Sequence, residues 1–299
     1  DELANQIVLV RSTGEIYRRH GTGEEGRTDG PSQTATFNGP VAVAVRSDGM
    51  MAVADSRNHL VRLIAPDGTV STPAGRAPRP KGFYFPRGVT WDRDGTLLVC
   101  DTGNHRIVRV SSEFKVTVVA GTGHPGFQDG SLFMASFNGP EGVNLLDDGS
   151  LCVADTGNHA FRVLTSDGQV RTIAGGQGGG EVRNGYLAFE ENDCAKFNGP
   201  INLLMQVDGS MLVVERGSNL VRRIVCANAD AVLAHLKKEA DKANRARNRL
   251  LATQRRLIQD DHDEGSSDDS DDSADARQPR PVSQPLTHQS PLLRPSAAP

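Results

Sequence analysis

Three histidines stand in nearly identical surroundings and are the first residues that could carry chemistry. Each one closes the pattern Asp-x-x-Asn-His. The three copies are Asp55, Asn58 and His59; Asp101, Asn104 and His105; and Asp155, Asn158 and His159. Imidazole and carboxylate groups bind metal ions and act as general acids or bases, so a ring of such histidines could hold a metal.

The recurrence of the pattern favours a structural role. Residues that serve the fold recur in every unit, whereas a catalytic site breaks the symmetry of a repeat. We therefore expect the aspartates to accept hydrogen bonds from turn amides and the asparagines to adopt the left-handed turn geometry. The histidines are expected to pack against the neighbouring unit. The sequence predicts neither a metal site nor a cofactor.

A second motif, Phe-Asn-Gly-Pro, opens each unit. It contains Asn38, Asn138 and Asn198, and the weaker sequence Phe85-Pro86-Arg87-Gly88 fills the intervening place. The units then begin at residues 37, 85, 137 and 197, so the period runs 48, 52 and 60 residues. A period that drifts in this way indicates constant cores joined by loops of variable length.

Short apolar runs alternate with turn residues inside each unit. In the first complete unit they cover 41–45, 51–54, 60–64 and 69–74, and they are separated by Asp-Gly turns and the Asp-x-x-Asn-His turn. This pattern predicts antiparallel strands joined by hairpins, and four strands per repeat of this length are typical of a β-propeller blade. We expect the innermost strand to be buried on both faces, and Arg62 and Arg109 to lie on a half-exposed outer sheet.

The Asp-x-x-Asn-His-Leu sequence at 55–60, followed by Val-Arg, resembles the NHL repeat. The Phe-Asn-Gly-Pro segments and the two Gly-Thr-Gly-x-x-Gly-x-x-Asp-Gly loops are also typical of that family. The resemblance implies a propeller that is six-bladed when complete. It also implies a binding platform for proteins or RNA in most members, and a metal-dependent lyase or hydrolase in a minority. About four and a half units are visible, which suggests an incomplete ring with upstream repeats or domains missing.

The resemblance and the composition divide the chain into three parts. Residues 1–226 form the propeller, with a partial blade at 1–36 and blades at 37–84, 85–136, 137–196 and 197–226. Residues 227–259 contain no glycine, and apolar residues recur there every seven positions among many basic ones. This pattern predicts an amphipathic helix capable of weak self-association. Residues 260–299 are acidic and then rich in Pro and Ser, a composition typical of disorder.

Two segments are candidate binding sites. Before the second complete blade, basic residues alternate with aromatic ones, and the long 175–193 segment breaks the symmetry of the repeat. The candidate residues are Arg76, Arg79, Lys81, Tyr84, Arg87, Tyr186 and Phe189. Arginines that meet phosphates beside aromatic faces that stack on bases would suit single-stranded RNA, and the same surface could bind a protein.

Several functional classes find no support in the sequence. The net charge of −4 argues against a strongly basic nucleic-acid binder, and no apolar run reaches the length of a membrane span. The four cysteines form no Cys-x-x-Cys pair, and reduced thiols favour an intracellular location. No nucleophile motif or zinc-protease motif is present, and the glycine-rich loops are expected to connect blades. The sequence therefore predicts a non-catalytic protein-interaction scaffold, with RNA binding and a metal-dependent enzyme as the alternatives.

Overall fold

The computed structural model describes residues 1–74, 82–176, 195–205 and 210–224. Its strands are β1 Ile7–Val10, β2 Ile16–His20, β3 Pro40–Val45, β4 Met51–Asp55, β5 Leu60–Ile64, β6 Val70–Ala74, β7 Val89–Trp91, β8 Leu97–Asp101, β9 Arg106–Val110, β10 Val116–Ala120, β11 Gly130–Ser131, β12 Gly142–Leu145, β13 Leu151–Asp155, β14 Ala160–Leu164, β15 Gln169–Gly175, β16 Pro200–Met205, β17 Met211–Glu215 and β18 Leu220–Ile224. Short 3-10 turns cover Ser56–Asn58, Thr102–Asn104 and Thr156–Asn158.

The strands form antiparallel sheets that follow one another along the chain. A β1–β2 hairpin precedes blade one (β3–β6), blade two (β7–β10), blade three (β12–β15, with β11 added at its outer edge) and blade four (β16–β18). The innermost strands β3, β7, β12 and β16 lie side by side in chain order. The predicted all-β, propeller-like architecture is confirmed.

Turn chemistry explains why each hairpin forms. Gly49 has a φ of 88°, a backbone conformation that residues with a Cβ rarely adopt, and the side chain of Asp48 accepts a hydrogen bond from Met50 N–H. The equivalent glycines of later hairpins, Gly68, Gly95, Gly149 and Gly168, share the positive φ. The Asp-Gly pairs in the sequence therefore mark the strand boundaries correctly.

The hydrophobic core lies between neighbouring blades. Blades one and two share a buried cluster that includes Val61, Phe83 and Val99, and similar clusters join blade two to three and blade three to four. Full burial of one such side chain contributes about 1.5–3 kcal/mol, so each interface is stabilised by many small contributions.

Burial across a blade differs from the sequence-based prediction. The second strands β4, β8 and β13 are buried along their whole length, whereas Val43 and Val45 of the innermost strand β3 are exposed. The innermost strand faces a central opening on one side, which is why it is not buried on both faces as predicted. The prediction of a half-exposed Arg62 is also wrong, because its side chain is fully buried.

The start of blade two also differs from the prediction. Tyr84 N–H donates to Asp101 Oδ1 at 2.8 Å, the bond that Asn38 N–H makes to Asp55 Oδ1 at 2.7 Å in blade one. The segment equivalent to Phe-Asn-Gly-Pro is therefore 83–86, two residues earlier than the sequence suggested. Phe83 is the buried core residue, and Phe85 takes the place of the glycine.

The glycine-rich loops connect blades, as expected. Each crosses to the next blade and runs along its outer strand: Gly30 N–H donates to Val70 O at 2.9 Å, and β11 pairs with β15. Asp29 and Asp129 at their ends receive hydrogen bonds from Thr72 and Thr172. These loops are committed to closing the outer edge of a blade.

Several sequence-based predictions lie outside the described residues. They include the helix at 227–259, the disordered tail at 260–299, and Arg76, Arg79, Lys81, Tyr186 and Phe189. In the part of the chain that the structure describes, no helix has the length and apolar character needed to cross a lipid bilayer.

Candidate functional site

A buried ion pair organises the turn of each Asp-x-x-Asn-His copy. In blade one Asp55 Oδ2 accepts from Asn58 Nδ2 at 2.7 Å and from Arg62 Nη1 at 2.9 Å. Arg62 also donates to the carbonyl oxygens of Thr36 and Thr28, and its guanidinium lies 5.1 Å from the centre of the Phe37 ring. The aspartate thus joins the opening segment, the turn and strand β5 in one network.

The same network recurs with substitutions. In blade three Asp155 pairs with Arg162 at 2.8 Å, and in blade four Glu215 takes the aspartate's place and pairs with Arg222 at 2.7 Å. Blade two has Val108 where the others have arginine, and Asp101 pairs with Arg106 from the first position of β9. The pairing is therefore present in all four described blades, although the position of the arginine differs.

The histidines link one blade to the next. Nδ1 of His59, His105 and His159 accepts a backbone N–H from the next opening segment: Phe85 at 3.1 Å, Gly139 at 3.0 Å and Gly199 at 2.9 Å. Asn5 does the same for Gly39 through Oδ1 at 2.9 Å. These histidines therefore lie against the neighbouring blade.

The left-handed residue of each turn is the histidine. His59, His105 and His159 have φ between 51° and 58°, whereas the asparagines lie inside the 3-10 turns and donate through their side chains. The prediction that the asparagines adopt this geometry is wrong, because their amides are needed to reach the aspartate. Asp55 and Asp155 accept from the asparagine side chain of their own turn, and the backbone N–H that each accepts comes from the opening segment.

Burial sets the ionisation of these groups. It raises the pKa of Asp55 and Asp155, although their hydrogen bonds to asparagine, backbone and arginine act in the opposite direction. Burial and, secondarily, the nearby His124 lower the pKa of His105. Among the described residues no group of three or more His, Cys, Asp and Glu side chains could hold a metal. The hydrogen bonds of the repeated motif join the elements of one blade and link neighbouring blades.

A central opening of about 530 Å³ lies among the innermost strands. Its wall comes from β3, β7, β12 and β16 and carries valines and alanines of β3 together with polar side chains such as Thr90, Asn144 and Asn202. Its mouth, on the face of the opening segments and histidine turns, carries the charged residues Glu2, Arg87, Glu141 and Arg216.

Three of these charges form an Arg–Glu–Arg bridge across the mouth. Arg216 makes a two-pronged contact with Glu141, with Nη2 to Oε1 at 2.6 Å and Nη1 to Oε2 at 3.1 Å. Arg87 Nη1 meets Oε2 of the same carboxylate at 3.3 Å. The bridge, defined as Arg87, Glu141 and Arg216, joins blades two, three and four.

The bridge sits where the repeat is free to vary. Arg87 and Glu141 follow the proline of their opening segments, where blade one has Val41 and blade four has Ile201. Arg216 occupies the position that Thr102 and Thr156 use to donate to Pro140 O and Pro200 O, each at 2.7 Å. The charges at these positions are therefore not imposed by the blade.

An aromatic cluster of His59, Tyr84 and Phe85 lies beside the mouth. The ring centres of His59 and Phe85 are 4.4 Å apart, and those of Tyr84 and Phe85 are 4.8 Å apart. Phe85 is 38% exposed and has a φ of 46°, where the other opening segments have Gly39, Gly139 and Gly199. A bulky residue in this conformation costs about 1–3 kcal/mol, so it points to a function rather than to a folding requirement.

Of the predicted binding residues, the structure describes Tyr84 and Arg87 and places both here. Sequence reasoning missed Phe85, Glu141 and Arg216. The prediction placed the opening segment at 85–88, two residues too late, and so assigned Phe85 to the core. Tyr84-Phe85, which stands where the other segments have Asn-Gly, was the signal in the sequence that could have identified Phe85. The arginine and glutamate that follow the opening segments' prolines were the signal for the bridge.

Comparison with known proteins identifies the repeat. A family model described as NHL repeat matches residues 83–110 and 137–164, and these matches begin at Phe83 and Phe137, in the register that the structure gives. The chain is 33% identical over 184 residues to NHL repeat-containing protein 2 of Gallus gallus, a match that covers 54% of this chain and 25% of that protein. It is 33% identical over 175 residues to the Homo sapiens protein of the same name, covering 50% and 24%. The chain therefore spans about a quarter of the length of the curated relatives it matches.

Solved structures support the same fold. An auxiliary nutrient binding protein from Bacteroides ovatus ATCC 8483 superposes with a TM-score of 0.52 at 21% identity, over 64% of this chain and 49% of that chain. At this level of identity the similarity concerns the fold alone.

Proposed function

Since this chain is an NHL-repeat protein, we propose that it is a non-catalytic protein-interaction scaffold that binds its partner at the mouth of the central opening. One observation carries the proposal. Four residues that differ from their equivalents in the other blades, Phe85, Arg87, Glu141 and Arg216, lie on this one face. A folding requirement would have produced the same residues in every blade.

The composition of the surface suits a protein partner. Exposed aromatic and arginine side chains are among the residue types that dominate the binding energy of protein interfaces. The bridge also brings guanidinium groups from two different blades to one place on this surface. The metal-dependent enzyme hypothesis lacks a donor set among the described residues.

Site-specific photo-crosslinking tests the proposal. A photoreactive phenylalanine analogue replaces Phe85, and in a matched control it replaces Phe114, which is also exposed, has a φ of 62° and lies in the turn between β9 and β10 on the opposite face. Cell extract is irradiated with each full-length chain. Proteins that crosslink at position 85, do not crosslink at 114 and disappear when Arg87 and Arg216 are replaced by alanine would support the scaffold.

Two other outcomes would contradict it. Adducts that ribonuclease removes would indicate the RNA alternative, which Tyr84 and Phe85 beside Arg87 favour through base stacking and phosphate contact. Equal crosslinking at positions 85 and 114 would mean that the mouth has no special role.

A further inference from the structure

The bridge indicates what chemical group the mouth accepts. Glu141 is only 10% exposed and lies between two arginines that are far more accessible: 33% of the Arg87 side chain and 52% of the Arg216 side chain face solvent. The carboxylate thus occupies the inner end of a cationic recess, and the outward-facing part of the recess consists of guanidinium groups.

Donors remain available on both arginines. Nε and Nη2 of Arg87 and Nε of Arg216 make no hydrogen bond to any residue in the described ranges. Arg57 lies on the same face, where it contacts Glu2 at 3.5 Å. The bridge itself carries two arginines and one carboxylate, and the contact of Arg57 with Glu2 adds no net charge. The bridge is therefore net positive, although the chain as a whole is negative.

The opening behind the bridge is lined by both apolar and polar side chains. Val43 is exposed there, and Asn144 Nδ2 donates to Asn202 Oδ1 at 2.8 Å in its wall. A partner that approaches the mouth therefore meets the guanidinium donors of the bridge first.

On the premise of the proposed function, we propose that the mouth recognises an acidic side chain of a partner peptide. Glu141 acts as a built-in competitor that holds the two arginines until the peptide's carboxylate replaces it. Arginine suits this role because its fork of N–H donors binds a carboxylate through two parallel hydrogen bonds.

A basic partner group is disfavoured by the same geometry. Both oxygens of Glu141 already accept hydrogen bonds from the arginines, and little of the carboxylate is accessible. A lysine directed at Glu141 would also meet the two arginine charges at close range.

The test uses the full chain and a phage-displayed library of random short peptides. Peptides selected on the unchanged chain are measured against E141Q, against the double change R87Q and R216Q, and against E113Q. Glu113 is exposed in the turn between β9 and β10, so E113Q makes the same change of charge on the opposite face. Circular dichroism establishes that each variant is folded.

The proposal predicts opposite signs for the two kinds of change. Selected peptides should be rich in Asp and Glu, and E141Q should bind them about tenfold more tightly, because the competing charge has been removed. The double arginine change should weaken the binding of these peptides about tenfold or more, and E113Q should leave their affinity unchanged.

The outcomes separate this proposal from the one it depends on. Selection of neutral or basic peptides, or weaker peptide binding by E141Q, would overturn the recognition of acidic side chains. Either result would still be consistent with a protein-binding scaffold at the mouth. Failure to select any peptide that depends on Arg87 and Arg216 would contradict the scaffold function itself, and the recognition rule with it.

Discussion

Replacing Arg162 with valine should destabilise the protein far more than an exposed arginine replacement does. Arg162 is fully buried and donates to the carboxylates of Asp155 and Asp129 and to the backbone carbonyls of Ser136 and Gln128. Without it, Asp155 would remain buried with no cation. Removing one partner of a buried ion pair costs about 3–5 kcal/mol.

This magnitude is large relative to the stability of a typical domain, which is about 5–15 kcal/mol. Valine is the informative replacement, because Val108 occupies the equivalent place in blade two and shows that the side chain fits the blade. The matched control is Arg109→Val. Arg109 pairs with Asp92 at 2.6 Å, but 40% of its side chain is exposed, so its loss should cost about 1 kcal/mol or less.

Urea unfolding of the full chain measures both changes. Trp91 is the single tryptophan of the chain and reports on the interface of blades one and two, while circular dichroism follows the sheets. The reasoning is refuted if Arg162→Val costs no more than Arg109→Val. Equal values would mean that Asp155 finds other partners once the arginine is gone.

Three further predictions follow from the blade contacts. His105→Asn should preserve the free energy of unfolding to within about 1 kcal/mol, since Asn5 already makes the equivalent hydrogen bond to Gly39. His105→Ala should cost about 1–3 kcal/mol, because it leaves Gly139 N–H without its acceptor. Urea unfolding measures both changes, and equal costs would contradict the linking role. Burial and, secondarily, Arg18 lower the pKa of His20 below 6.5. The stability that His20 contributes is therefore present above pH 6.5 and is lost as the pH falls through the folded pKa. Urea unfolding at about pH 8 and about pH 5.5 should show this loss in the unchanged chain and a smaller loss in His20→Asn. Phe85→Gly should change the free energy of unfolding by less than about 1 kcal/mol, because relief of the left-handed strain offsets the lost ring contacts and the greater freedom of glycine in the unfolded chain. The same substitution should abolish crosslinking at the mouth from a photoreactive residue placed at Tyr84. Retained crosslinking would show that Phe85 is not part of the interface.

The sequence was sufficient for the strands and for their order, because those depend on local signals. Asp-Gly turns such as Asp48-Gly49 fix the hairpins, and apolar runs between them leave little choice of register. The start of blade two could not be placed, since the proline and glycine of 85–88 imitate the motif while the true segment has Tyr-Phe in place of Asn-Gly. The contact of Tyr84 N–H with Asp101 and the burial of Phe83 separate the two registers.

Long-range packing explains the other errors. Arg62 alternates with aliphatic residues in the way an exposed arginine would, and nothing local shows that Asp55 and the preceding loop enclose it. The bridge was missed for the same reason. Glu141 and Arg216 are 75 residues apart, and only the closure of successive blades around the opening brings them together.

The contacts inside a blade explain why residues at the mouth differ from one blade to the next. Each blade commits its aspartate, asparagine and histidine to contacts that the fold requires, and substitution there is restricted to residues that repeat the contact, as Glu215 does for aspartate and Asn5 does for histidine. The residue after the opening proline carries no such contact, and Val41, Arg87, Glu141 and Ile201 therefore differ without disturbing the blades. In a repeat protein, a specific binding surface can form at positions whose side chains make none of the repeated contacts. In this chain such positions surround the central opening, so a partner would contact several blades at once.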